Sequence, residues 1–128
     1  MFQDDKVDGI FCVRGGYGSP RILPYLDFDL IAKNPKVFIG YSDITALLNA
    51  IYARTGLVTF HGPIAKQNFT EYTLNSFKDV LFTPKANINL GTPPIFEKTE
   101  GQAKQENRLT LISKGVANGQ LIGGNLSL

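Results

Sequence analysis

The segment from Lys36 to Gly56 changes its hydrophobic period in the middle, and this change constrains the fold more than any other feature of the chain. Residues 37–39, Val-Phe-Ile, form a continuous β-prone apolar run, which is typical of a strand covered on both faces in a parallel sheet. Apolar residues then recur with helical spacing at positions 44, 47, 48 and 51, and Gly56 supplies a C-terminal stop. The segment therefore predicts a buried strand that turns sharply into an amphipathic helix.

Ser42 stands at the predicted turn, at the carboxyl end of the strand and the amino end of the helix. Free backbone N–H groups and the helix dipole at such a place can stabilise a developing oxyanion, which makes a serine useful for acyl transfer. A purely structural role is also possible, because Ser42 is a good N-cap and Asp43 is favourable in a first helical turn. The nucleophile-elbow pattern Gly-x-Ser-x-Gly is met at Gly40, but β-branched Ile44 occupies its last glycine position. The local pattern leaves both interpretations open.

A second apolar run, residues 7–13, leads into a glycine-rich loop at residues 14–18, Arg-Gly-Gly-Tyr-Gly. Glycines permit left-handed backbone conformations and leave N–H groups uncovered, so the loop can donate hydrogen bonds to an anion or a carbonyl oxygen. Ser19 as N-cap and Pro20 at the first helical position predict a short helix through about Leu26. The spacing matches neither Gly-x-Gly-x-x-Gly nor the Walker phosphate loop. A ligand loop and a tight strand-to-helix connection are both compatible with it.

Together these segments resemble the LD-carboxypeptidase family, serine peptidases of the S66 type that include murein tetrapeptide carboxypeptidases and microcin C immunity peptidases. The matching motifs are RGGYG at 14–18, RILPYLD at 21–27, PK at 35–36, GYSDIT at 40–45, FHGP at 60–63 and GGNLSL at 123–128. The resemblance spans nearly the whole chain. It implies a layered α/β fold, the nucleophile domain of such a peptidase, with a mainly parallel sheet and flanking helices.

The resemblance also assigns roles to individual residues. In the family, the serine of the Gly-[Phe/Tyr]-Ser-Asp turn is the nucleophile, and it corresponds to Ser42. The oxyanion is then expected to be bound by backbone N–H groups, those of Asp43 and of Gly15 or Gly16. Three further residues are expected beside the substrate site: Arg14, Tyr17 and His61.

The family's catalytic base and its orienting acid are a histidine and a glutamate well downstream of the Gly-Gly-Asn segment. Neither is present before the chain ends at Leu128, so we expect the isolated polypeptide to be inactive. A serine hydroxyl is a poor nucleophile at neutral pH unless a neighbouring base takes its proton. The only histidine, His61, follows a predicted strand at residues 57–60, and we favour a structural role at the strand end over a role as base.

The implied activity is that of a cytoplasmic serine peptidase that needs neither a metal ion nor an organic cofactor. It would hydrolyse the L,D-peptide bond that holds the terminal D-alanine of a murein tetrapeptide, a peptidoglycan-derived substrate, during peptidoglycan recycling. A microcin C-type peptidase that cleaves peptidyl adenylates is the alternative within the family. A non-catalytic module that binds anions or mediates assembly through the glycine loop is the alternative from another class.

Composition excludes several other classes. The formal net charge of +2, without a large basic cluster, gives no support for nucleic-acid binding. No apolar run of about 18 residues and no charged-then-apolar export signal is present, so membrane binding has no support either. The single cysteine, Cys12, excludes an intrachain disulfide and forms no metal-ligand set, and it is expected to be a small buried residue of its strand.

Both ends of the chain look truncated, because a strand begins almost at once and a helix is only starting when the chain stops. We therefore expect a fragment with a partial nucleophile-bearing domain at residues 1–84, followed at 85–128 by an extended excursion and linker toward a missing C-terminal domain. Residues 71–82 predict an amphipathic helix ended by Pro84, and residues 86–90, 95–96 and 108–112 predict short extended segments. Uncovered apolar faces of a fragment would favour a homo-oligomer.

Overall fold

The computed structural model describes residues 1–94 and 111–126. They fall into two units, one within residues 1–68 and 121–128 and the other within residues 69–120. The first unit carries the sheet and Ser42. The domain boundary expected at residue 84 stays a prediction.

The first unit is built on three short parallel strands, β1 (Gly9–Phe11), β2 (Val37–Gly40) and β3 (Phe60–His61). Their order in the sheet is β1-β2-β3, so β2 is central. Gly40 is paired with His61 at the carboxyl edge of the sheet. Helices lie between successive strands along the chain, as parallel strands require. The predicted α/β class with a parallel sheet and flanking helices is confirmed.

Strand β2 is buried on both faces, as its unbroken apolar run predicts. Phe38 is 6% exposed and Ile39 is 5% exposed. Phe38 belongs to the main core cluster, whereas Ile39 is buried outside it, because successive side chains of a strand point to opposite faces. The cluster draws its side chains from β1, β2 and two helices: Ile10, Ile31, Phe38, Leu47, Leu48 and Ile51.

Helix α3 (Thr45–Thr55) follows β2 through a single 3₁₀ turn, Ser42–Ile44. Its predicted apolar face is the buried one, and its Ile51 side chain is only 1% exposed. The helix ends at Gly56, whose φ of 74° is left-handed and whose N–H donates to the Tyr52 carbonyl at 2.8 Å. A glycine reaches this conformation without the steric cost of a Cβ, so the predicted stop is confirmed.

The helix predicted after the glycine loop is shorter than expected and begins differently. It consists of α1 (Ser19–Ile22) and a 3₁₀ turn, Leu23–Tyr25. The proline within that turn has no N–H to donate, which is the physical reason why the α-helical ladder does not continue. The prediction that Ser19 is the N-cap is wrong, because Gly18 takes that position with a φ of 101°. Ser19 is instead the first helical residue.

Helix α2 (Phe28–Lys33) was not predicted from the hydrophobic pattern. Its N-terminus is capped by Asp27, whose carboxylate accepts a hydrogen bond from the Leu30 N–H at 2.8 Å. The helix is too short for its apolar period to stand out, yet it buries Ile31 against the core. A capping aspartate was therefore the available signal.

Strands β1 and β3 are both shorter than the predicted runs at residues 7–13 and 57–60. Before β3, the Thr59 hydroxyl donates to the Leu48 carbonyl at 3.0 Å, so this residue is tied to α3 by its side chain. After β1, the Cys12 N–H donates to the Ile39 carbonyl at 3.0 Å and extends the pairing by one residue. The predicted apolar runs thus include residues beside each strand that pack in the fold but are not part of the strand itself.

The second unit contains α4 (Glu71–Leu81), close to the predicted helix at 71–82. Thr70 caps it by accepting the Thr73 N–H at 3.1 Å. The extended segment predicted at 86–90 is wrong, because Asn87 is left-handed with a φ of 58° and the Asn89 side chain accepts the Gly91 N–H in a turn. The segment predicted at 95–96 and the first three residues of the segment predicted at 108–112 lie outside the described residues, and residues 111–112 are not in a strand.

Among the helices described in residues 1–94 and 111–126, none has the length and apolarity that a membrane span requires.

Candidate functional site

Ser42 is the first residue after the short loop that leaves β2, and its backbone is left-handed, with a φ of 53°. For a residue with a side chain this conformation costs roughly 1–2 kcal/mol, so neighbouring contacts must hold it. Ser42 is half-buried at the carboxyl edge of the sheet. The interpretation of Ser42 as an N-cap is wrong, because Tyr41 is the residue before the 3₁₀ turn and no side chain caps that turn.

Two side chains form hydrogen bonds with the backbone of Ser42. The Ser42 N–H donates to Nε2 of His61 at 3.3 Å, and the Thr45 hydroxyl donates to the Ser42 carbonyl at 2.5 Å. The first bond comes from β3 and the second from the start of α3. Both use backbone atoms of Ser42, so neither consumes the Oγ hydroxyl.

The glycine loop, which follows β1, also comes close to Ser42. A Cβ on Gly15 would lie 2.9 Å from Ser42 Cβ, 3.1 Å from the Tyr41 carbonyl oxygen and 3.5 Å from Ser42 Oγ. Only a residue without a side chain allows this approach. Gly16 and Gly18 have φ values of 146° and 101°, so the loop uses the conformational freedom that its composition predicts.

Asp43 joins the glycine loop to the turn that carries Ser42. Its side chain is 4% exposed, and its carboxylate accepts the N–H of buried Ser19 at 2.9 Å. The charge thus lies at the amino end of α1 and satisfies a backbone donor there. This contact fixes the far end of the loop relative to the turn.

Strand β2 and the 3₁₀ turn approach each other closely at Gly40 and Ile44. A Cβ on Gly40 would lie 2.7 Å from the Cβ of Ile44, which is closer than two carbon atoms can pack. The elbow pattern normally places glycines at both positions, and here the strand glycine alone provides the space. The β-branched Ile44 is therefore compatible with a sharp strand-to-helix turn.

The remaining residues expected at the site differ in their placement. His61 contacts Ser42 directly, and its ring lies 5.2 Å from that of Tyr41, in a tilted arrangement. Arg14 and Tyr17 are exposed, with Tyr17 86% exposed beneath the guanidinium of Arg21 at 5.8 Å. These two therefore line the outer surface of the loop, whereas His61 lies beside the turn.

A cavity of about 360 Å³ opens beside His61. Helix α3, the β3 segment and the segment near the end of the chain line it through Thr45, Leu48, Asn49, Thr59, His61, Gly123 and Gly124. The Asn49 side-chain amide donates to the Gly123 carbonyl at 3.0 Å, which ties that segment to α3. The sequence analysis missed Asn49, although its i, i+4 spacing from Thr45 places the two polar residues on one helix face.

Cys12 lies just after β1 and is half-buried, so the prediction of a buried residue within the strand is wrong. Burial raises the pKa of its thiol above the ordinary value of 9.0, which makes it a poor nucleophile at neutral pH. Within residues 1–94 and 111–126, no group of three or more His, Cys, Asp and Glu side chains has the arrangement of a metal site.

Comparisons with known proteins agree with this geometry. Residues 1–62 match the LD-carboxypeptidase N-terminal domain family, peptidase S66. A Bacillus subtilis (strain 168) protein named as a probable murein peptide carboxypeptidase is 44% identical over 129 residues, which are 100% of this chain and 37% of that protein. The chain belongs to the LD-carboxypeptidase family.

A curated relative and a solved structure both carry the name microcin C7 self-immunity protein MccF. The Escherichia coli protein is 39% identical over 144 residues, 99% of this chain and 42% of its own length. A mutant of MccF solved in complex with adenosine monophosphate superposes with a TM-score of 0.64 at 36% identity, over 88% of this chain and 36% of the other. The chain thus spans about two fifths of the length of these curated LD-carboxypeptidase relatives.

Proposed function

We propose that Ser42 is the nucleophile of a serine carboxypeptidase that acts on a peptidoglycan-derived peptide. The observation that carries the proposal is the left-handed backbone of Ser42 at 53°, held against a glycine loop that approaches its Oγ. Backbone strain of this kind concentrates at functional sites, and a structural serine has no need of it. Membership of the LD-carboxypeptidase family supports the same reading.

In the proposed reaction, Ser42 Oγ attacks the carbonyl carbon of the L,D-peptide bond before a terminal D-alanine. The oxyanion of the tetrahedral intermediate is bound by the N–H of Asp43 and an N–H of Gly15 or Gly16, which come from the two loops that meet at Ser42. Collapse of the intermediate breaks the C–N bond. The leaving nitrogen of D-alanine takes the proton that the base received from Oγ, and an acyl ester is left on Ser42. Water then attacks the ester, restores the hydroxyl and releases the shortened peptide.

We propose that none of these 128 residues is the base that accepts the Ser42 Oγ proton. The only histidine of the sequence is His61, and its Nε2 already accepts the Ser42 N–H. The family resemblance instead places a histidine and a glutamate downstream of the Gly-Gly-Asn segment. We therefore propose that the 128-residue polypeptide alone does not turn over substrate, since loss of a triad member costs about 10⁴ to 10⁶ in turnover.

The cavity beside His61 is the proposed binding region for part of the substrate. The Thr45 and Thr59 hydroxyls donate their protons to the Ser42 and Leu48 carbonyls, so their oxygens, with the Asn49 amide oxygen, suit the N–H groups of a short peptide. An MccF relative binds adenosine monophosphate, so a peptidyl adenylate is the second candidate substrate. The cytoplasm stays the predicted compartment for either reaction.

The test compares two proteins, residues 1–128 alone and the longest product that the gene encodes. D-alanine release from L-alanyl-D-glutamyl-diaminopimelyl-D-alanine and cleavage of a peptidyl adenylate are measured for each, together with labelling by a fluorophosphonate probe. We expect the longest product to cleave one substrate and to be labelled, Ser42→Ala to abolish both, and the matched control Ser76→Ala to change neither. Residues 1–128 alone should do neither. Turnover that survives Ser42→Ala would refute Ser42 as the nucleophile. A longest product that shows neither turnover nor labelling would instead favour a binding module without catalysis.

A further inference from the structure

His61 occupies a position from which its ring can act on the turn that carries Ser42. It is paired with Gly40 across the β2–β3 ladder, and the Gly62 N–H donates to the Gly40 carbonyl at 2.9 Å. The backbone of His61 is therefore fixed on the neighbouring strand, opposite Gly40, which lies two residues before Ser42. Its ring lies against Tyr41, which restrains the side chain on one side.

The hydrogen bond between the two residues defines the state of the imidazole. Because the Ser42 N–H is the donor at 3.3 Å, Nε2 of His61 must carry the lone pair. The neutral ring then bears its proton on Nδ1, since an imidazolium has two donors and no acceptor. This assignment leaves Nε2 engaged with the backbone, so it cannot also take the proton of Ser42 Oγ.

We propose that His61 is a positioning residue for Ser42. By accepting the Ser42 N–H, it stabilises the left-handed backbone and so keeps Oγ directed toward the glycine loop. This inference rests on the proposed nucleophilic role of Ser42 and adds a requirement for an acceptor at Nε2. It also explains the use of a histidine at an exposed strand end, where burial alone gives no reason for one.

The test uses three variants of the 128-residue chain in neutral-to-alkaline buffer. His61→Leu removes the acceptor, and His61→Gln offers an amide oxygen at about the distance of Nε2. Thr59→Val is the matched control, because it removes a neighbouring hydrogen bond, to the Leu48 carbonyl, that does not involve Ser42. The readouts are hydrogen exchange of the Ser42 amide and the ¹⁵N signals of the His61 ring.

We expect the wild-type ring to be protonated on Nδ1, with the Nε2 lone pair accepting the Ser42 N–H. Exchange of the Ser42 amide should accelerate about five- to tenfold in His61→Leu, the factor expected for one ordinary hydrogen bond. His61→Gln should restore most of the protection, and Thr59→Val should leave it unchanged. A ring protonated on Nε2, or a folded His61→Leu variant with unchanged Ser42 exchange, would overturn the proposal.

If His61→Leu does not fold, the ring signals of the wild type and the exchange rate of His61→Gln still decide the question. Turnover of the longest gene product adds a second readout: His61→Leu should lower kcat with little change in KM, and His61→Gln should recover kcat. Failure of the proposed function has a different signature. In that case Ser42→Ala would leave turnover intact while the Ser42 amide still depends on His61.

Discussion

Gly15 and Ser42 approach each other so closely that a methyl group on Gly15 would overlap the serine side chain. The Cβ of an alanine at position 15 would lie 2.9 Å from Ser42 Cβ, well inside the distance at which two carbon atoms pack. The two residues come from loops that follow neighbouring parallel strands, β1 and β2. Parallel pairing therefore brings a loop with uncovered N–H groups against the serine, although 26 residues lie between Gly15 and Ser42 in the sequence.

This contact predicts the effect of Gly15→Ala. The added methyl should displace either the loop or the Ser42 turn and lower the free energy of unfolding by about 1–3 kcal/mol, the usual cost of overpacking. Urea unfolding measures the loss, and the Ser42 amide signal reports the displacement. Gly115→Ala is the control, because a Cβ there meets open space and should change stability by less than about 0.5 kcal/mol. Equal effects of the two substitutions would contradict the close approach.

The pair Gly40 and Ile44 allows a double-mutant cycle. Gly40→Ala alone should destabilise the chain by about 1–3 kcal/mol, because its Cβ would overlap Ile44. In an Ile44→Gly background the obstruction is gone, and the same substitution should cost less by roughly 0.5–3 kcal/mol. Denaturant unfolding of the four proteins gives the coupling free energy. Additive effects would show that strand and turn are farther apart than we describe.

Asp43 is predicted to stabilise the fold through its contact with Ser19. Asp43→Ala leaves the buried Ser19 N–H without its acceptor and should cost about 1–3 kcal/mol of unfolding free energy. Asp43→Asn keeps an acceptor oxygen and should cost less. Asp5→Ala serves as the exposed control, for which a change within about 0.5 kcal/mol is expected. If Asp43→Ala behaves like Asp5→Ala in thermal or urea unfolding, the contact contributes nothing.

Cys12 predicts a pH dependence of stability. Burial raises the pKa of the folded thiol above 9.0, so at alkaline pH the unfolded chain loses this proton before the folded chain does. The folded state then binds more protons, and its stability falls as the pH rises toward and through the folded pKa. The same contribution is fully present below the unfolded pKa. Unfolding free energies between neutral and alkaline pH should fall less steeply in Cys12→Ala than in the wild type, and parallel curves would disprove the assignment.

Self-association is the expected consequence of exposed apolar side chains near the end of the chain. Leu121 is 98% exposed and Ile122 is 70% exposed. Adjacent exposed apolar residues favour association. Sedimentation over a range of concentrations should reveal oligomers that dissociate on dilution, and the pair Leu121→Ser and Ile122→Ser should shift the equilibrium toward monomer. Lys114→Ser is the control for an unrelated surface substitution, and it should leave the monomer–oligomer equilibrium unchanged. A monomer at every concentration would contradict the prediction.

Long, strongly patterned elements were predictable from the sequence. The core face of α3 and the buried strand β2 follow from a change of hydrophobic period. Gly56 marks the end of α3 because the residue after the helix is left-handed, a conformation that favours glycine. Short elements were not predictable in the same way. Helix α2 holds too few residues for a period to emerge. A predicted extended segment is replaced by a turn, because Asn87 is left-handed and the Asn89 side chain accepts the Gly91 N–H.

The sequence by itself determined that Ser42 would stand between a strand and a helix, with a glycine-rich loop elsewhere in the chain, because hydrophobic period and glycine content are local properties. Only the tertiary structure decided what Ser42 contacts. Its left-handed backbone, the acceptor at His61 and the approach of Gly15 all depend on the parallel pairing of three strands. That pairing brings distant segments to one sheet edge, and no local pattern encodes the distances between them.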